Sequence, residues 1–148
     1  MENTCSKQET YAWQKARLKR ALACSFYYEA VFIEYAMFED RAISVLRHLG
    51  CKTVDRNGKP LKLSKKLDLI NDAPAFQSKY VKQRLTRDLV ENIRAWKDQR
   101  DTLVHDLMSA PANDQAAREI AEAGEKLLGV FDNKVRSVND HVDKKSKT

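Results

Sequence analysis

Apolar residues fall every three or four positions along most of this chain, a spacing that lines one face of an α-helix. The longest such segment runs from about Ser6 to His48 and stops at Gly50, the residue type that most easily takes the left-handed conformation closing a helix. In its middle, Phe26, Tyr27, Tyr28, Phe32, Tyr35 and Phe38 spread around most of the circumference. A helix apolar on so many sides is buried on several of them. In a short chain a second copy can cover what its own neighbours leave open, so the pattern predicts a homodimer or, equally, a fully internal central helix.

Between residues 51 and 62 the pattern breaks, and Asn57-Gly58 marks a turn, so a loop or small hairpin separates the helices. A short helix is predicted from about Ser64 to Asn71, ended near Ala73 by Pro74. The next segment, about Ala75 to Met108, carries Leu85, Leu89, Ile93, Trp96, Leu103 and Leu107 at helical spacing, with one interruption at Arg100. After Ser109-Ala110-Pro111, Asn113 or Asp114 can cap a last helix reaching about Asp143. Its stripe is Ile120, Leu127, Phe131, Val135, Val138 and Val142, with Gly124 in the remaining slot. The basic tail 144–148 is expected to fray. Helices joined by short loops describe an antiparallel bundle of four main helices plus one short helix.

Composition narrows this picture. At 148 residues the chain is the size of one domain, and four Gly, three Pro and 32% charged residues favour an all-α class. The polar start MENTCSKQET lacks the apolar core of a signal peptide, and no run of about 18 apolar residues occurs. The expectation is a cytoplasmic protein with no membrane association. Cys5, Cys24 and Cys51 are an odd number without a CxxC pair, and His48 with Cys51 lacks a second ligand pair. Scattered glycines exclude a phosphate-binding loop, and no zinc-protease or nucleophile-elbow motif is present. Neither a metal nor a cofactor is expected. The net charge of +6, gathered at Lys15 to Arg20, Lys59 to Lys66, Lys79 to Arg87 and Lys144 to Lys147, makes RNA a plausible partner.

Arg100 is the chemical anomaly, because a buried guanidinium without a partner costs several kcal/mol. Two readings account for it. It can pair at the edge of the core with Asp98, Asp101 or an acid of the first helix such as Glu29, Glu34 or Asp40. Alternatively it lines a cleft where a phosphate binds. His105 strengthens the second reading, since a histidine moves protons near neutral pH while an arginine stabilises charge building on a phosphate. Its alternative is an i,i+4 surface pair with Asp101. Five residues apart, Arg100 and His105 lie about 140° apart on a straight helix. A break in the helix, or a two-fold axis between copies, is needed to bring them together.

RDTLVH, residues 100 to 105, resembles the R-polar-x3-H motif of HEPN domains. The resemblance implies an all-α bundle, often dimeric, acting as a metal-independent endoribonuclease. Arg100 would then bind the scissile phosphate, Asp101 would orient the site, and His105 would handle the proton of the ribose 2′-hydroxyl. It also implies a toxin or phage-defence role with a cognate antitoxin or other protein partner. The family motif often continues with Gly or Tyr, whereas Asp106 and Leu107 follow here, and an acidic neighbour repels phosphate. A non-catalytic module binding RNA, a nucleotide or a protein is the alternative, and a purely structural dimer with Arg100 satisfied by a carboxylate is a third reading.

Overall fold

The computed structural model describes residues 6–109 and 114–147. Its described residues form six α-helices and no strand. They are α1 (Lys7–Ala23), α2 (Tyr27–His48), α3 (Leu63–Asp72), α4 (Lys79–Arg84), α5 (Arg87–His105) and α6 (Asp114–Ser146), with single 3-10 turns at Pro74–Phe76 and Asp106–Met108. The all-α class is as expected, with α1, α2, α5 and α6 as the long elements.

Two of the expected helices are divided. The segment from Ser6 to His48 turns at Ser25, whose φ of 60° ends α1 in the left-handed conformation. There the Phe26 N–H donates to the Ala21 carbonyl at 2.8 Å and the Ser25 N–H to that of Leu22 at 3.2 Å, which closes the helix end. The segment from Ala75 to Met108 is divided by side-chain caps: Ser78 accepts from the Val81 N–H, and Thr86 from that of Leu89. Between residues 51 and 62, Val54 and Pro60 form one isolated bridge around the turn at Gly58, as the Asn57-Gly58 pair predicts. Helix α6 continues to Ser146, past the end expected near Asp143. Lys144 and Lys145 lie in its last turn, where cations suit the helix dipole. Asn113 and Pro111 fall outside the described residues.

Helix α2 packs most extensively on α6. Asn139 bonds Ser44 at 3.1 Å, Glu34 sits at Gly124, and Tyr27 faces Arg118, so the two helices run parallel. Helix α1 runs against α2, as Arg17 meets Glu29 and Arg41 meets the Tyr11 ring. Helix α5 also opposes α2, with Trp96 on Phe38 and Arg100 on Tyr35. Most of the broad apolar surface of α2 is thereby internal, including Val31, Met37, Phe38, Ala42 and Leu46. A strip containing Phe32 and Ala36 remains exposed.

The close α2–α6 contact depends on small residues: Ala30 and Ala42 on α2, Ala117, Ala121 and Gly124 on α6 are all buried. A Cβ on Gly124 would lie 2.4 Å from Glu34 Oε1 and 2.6 Å from Trp96 Nε1, both buried, and that indole donates to the Ile120 carbonyl at 2.9 Å. Gly124→Ala should therefore destabilise by about 1–3 kcal/mol through overpacking. Gly129→Ala, with nothing near its Cβ, should stabilise by about 1 kcal/mol through helix propensity. Urea denaturation midpoints moving in the same direction for both variants would contradict this account of the helix contact.

Candidate functional site

Helix α5 carries all three residues singled out by the sequence. Thr86 caps its start, and Leu89, Val90, Ile93, Trp96 and Leu103 hold it to the core. Arg100 keeps the register of that apolar face by lying flat. Its guanidinium carbon is 4.1 Å from the centre of the Tyr35 ring and 5.6 Å from that of Phe32, so ring faces of α2 replace the water that burial removes. The side chain is 19% exposed.

Its carboxylate partner is Asp101, reached by Nη1 at 3.0 Å. The other acids considered are engaged or placed elsewhere: Glu29 with Arg17, Asp40 with Arg41, Asp98 with Lys97, and Glu34 in the core. Lys97, one turn earlier, also donates to Asp101, at 2.7 Å. Burial pushes the Asp101 carboxyl up, but hydrogen bonds from Lys97 and Arg100, with their charges, more than offset it and leave it below the ordinary range. Asp101 is thus a firmly ionised clamp shared by two cations. The Arg100 Nε is buried and has no partner.

The network continues through α2. Burial, then the charge of Glu39, raises the Tyr35 pKa. Glu39 in turn receives the fully buried Lys66 at 3.2 Å. Three cations, Lys66, Lys97 and Arg100, stand against three carboxylates, Glu39, Asp98 and Asp101, so the network is balanced in charge.

His105 is apart from this network. It is the last residue of α5, exposed, with no hydrogen bond or ion pair to a described residue, so the i,i+4 pair with Asp101 does not form. Because α5 is unbroken from Arg87 to His105, the helix supplies no kink to bring His105 towards Arg100. The two side chains leave the helix about 140° apart and about 7.5 Å along its axis. The chain unites Arg100 with Asp101 and keeps His105 on another face of α5. Leu107, assigned to the apolar stripe by spacing, is instead 43% exposed, since the 3-10 turn at Asp106–Met108 rotates it off the core face; Met108 is 94% exposed.

Spacing revealed Arg100 but not its platform. Tyr35 and Glu39 lie one turn apart on α2, a sign of a shared face; their apposition to residue 100 depends on helix packing. Lys97 was legible as the i,i+4 partner of Asp101. Comparisons with protein-family models, curated proteins and solved structures find no match to the chain.

Proposed function

We propose that this chain is a metal-independent endoribonuclease that cleaves RNA through the substrate's own 2′-hydroxyl, at a site completed by two copies about a two-fold axis. The observation carrying this reading is a half-buried Arg100 with an unpartnered Nε, on the same helix as an exposed, unpaired His105. Arg100, oriented by Asp101 and Tyr35, donates to the non-bridging oxygens of the scissile phosphate. His105 of the partner subunit accepts the 2′-hydroxyl proton as that oxygen attacks phosphorus. The bond to the 5′ oxygen breaks, the leaving oxygen takes a proton from water, and the products carry 2′,3′-cyclic phosphate and 5′-hydroxyl ends. The exposed Phe32 and Ala36 strip beside Arg100, and the apolar Leu107 and Met108 beside His105, give a second copy apolar surface to cover. The family resemblance extends this reading to a toxin or defence component with a cognate antitoxin.

A second reading, a non-catalytic module binding RNA, a nucleotide or a protein, is favoured by the Arg100–Asp101 pair and by the carboxylate of Asp106 next to His105. One experiment separates the two. Purified protein in EDTA should cut single-stranded or loop RNA to cyclic-phosphate ends and leave the fully 2′-deoxy strand intact. Cleavage of the deoxy strand would exclude the mechanism, and binding without cleavage of any RNA would establish the second reading.

A further inference from the structure

The half-buried arginines of this protein are Arg17, Arg41, Arg84, Arg94 and Arg100 among the described residues. Four of them pair with a carboxylate. Arg84 does not: its Nη1 donates to the Tyr80 carbonyl at 3.1 Å, and its guanidinium carbon stands 3.4 Å from the centre of the Tyr80 ring. His141 of α6 stacks on the same ring at 3.7 Å and 9°. Two planar groups so close to one ring centre cannot share a face, so Tyr80 is sandwiched between them. The Tyr80 hydroxyl donates to the Ser137 carbonyl at 3.4 Å, tying the stack to α6.

The stack holds a guanidinium and an imidazole on opposite sides of one ring, with Lys144 and Lys145 at the end of the same helix. The groups acting on His141 are burial first, then Lys145, Arg84 and Lys144; all three are cations, and together they push its pKa below the ordinary histidine range. Arg84, which has no carboxylate partner among the described residues, and Lys144 bring positive charge to this surface. The surface is remote from Arg100: Trp96, one turn before Arg100, bonds Ile120, and His141 lies 21 residues further along α6, about 30 Å away.

We propose that Arg84, His141 and Lys144 form a phosphate-binding surface that grips a nucleic-acid strand at the end of the bundle remote from Arg100. A guanidinium and an imidazole that a phosphate can protonate, fixed on either side of one ring, suit charges that repeat at regular intervals along a backbone, as phosphates do. An acidic peptide carries its charges on flexible stems without that repeat. The identity of the strand as RNA rests on the endoribonuclease reading; the grip on phosphate does not.

Binding is measured by fluorescence anisotropy with a labelled 2′-O-methyl strand, so that cleavage plays no part. Replacing Arg84, His141 and Lys144 together by Gln should weaken binding more than about tenfold and lower the slope of log K against log salt by about 0.7 for each lost phosphate contact. The exposed Lys144→Glu, which leaves the stack untouched, should weaken binding even if the triple variant folds poorly. Affinity should also rise from pH 8 to pH 6, because a phosphate favours the protonated imidazole that Arg84, Lys144 and Lys145 oppose and that the neutral Tyr80 ring stacks upon. A folded triple variant and Lys144→Glu that both bind as wild type does would overturn the proposal. So would loss of polyglutamate binding in these variants with strand binding intact, which would assign the surface to an acidic protein.

Discussion

Mixing Arg100→Ala and His105→Ala chains, each inactive alone, is expected to restore about a quarter of the wild-type cleavage rate. Each substitution alone should lower the rate by roughly 10²- to 10⁴-fold, the range for removing a positioned proton-transfer group, with removal of a charge-stabilising donor near its lower end. The unbroken course of α5 keeps the two side chains on different faces of one chain, so the proposed site takes Arg100 from one copy and His105 from the other. In a two-fold dimer of the two variants one site carries both replacements and the other carries neither. Random exchange makes about half of the dimers mixed, and one of two sites works in each. A mixture no more active than its parts, although light scattering gives the mass of two chains and exchange is complete, would end the shared-site mechanism. A single-chain mass at micromolar concentration would do the same.

What the sequence disclosed and what it concealed are both visible in the helix ends. Gly50 closes α2 with the Cys51 N–H donating to the Leu46 carbonyl at 2.9 Å, and the glycine announces that stop. Ser25 closes α1 by the same hydrogen-bond pattern, but a serine at positive φ leaves no signal in an apolar-periodic segment, so two helices read as one. Ser78 and Thr86 were cap-forming residues in plain view, and Thr86 was hidden because the spacing of Leu85, Leu89 and Ile93 continues across it. At the site, an arginine in an apolar stripe was conspicuous, and its pairing with Asp101 was among the alternatives. That Tyr35 would carry it depends on the approach of α2 and α5, and helical periodicity holds no information about which faces meet. Leu107 illustrates the same limit, since spacing extrapolates an α-helix through a turn that has already tightened to 3-10 geometry.

Unfolding free energy should fall as pH rises from 5 to 8, and Glu34→Gln should abolish most of that fall. Glu34 is fully buried between α2 and α6 at Gly124, and neither of its carboxylate oxygens has a hydrogen-bond partner. Burial, assisted by the charge of Glu125, raises its pKa to about 9 from an ordinary value of 4.5. Between those values the folded chain keeps a proton that the unfolded chain has released, so the folded state binds more protons and raising the pH favours unfolding. The contribution is fully present below about 4.5 and is lost towards about 9. Its slope is about 1.4 kcal/mol per pH unit, which amounts to several kcal/mol across the range tested. Asp101, whose pKa is lowered, acts in the opposite sense, but only below its unfolded value of 3.8, outside this window. Every other titratable group is common to both proteins, so the difference between wild type and Glu34→Gln isolates the carboxyl. Urea unfolding of the two proteins at pH 5, 6, 7 and 8 provides the measurement. Parallel profiles would mean that Glu34 is ionised in the folded protein and that its charge is met by a group or water reaching the α2–α6 contact. Diverging profiles, with the variant gaining on wild type at each step upward, are the outcome a neutral buried carboxyl requires.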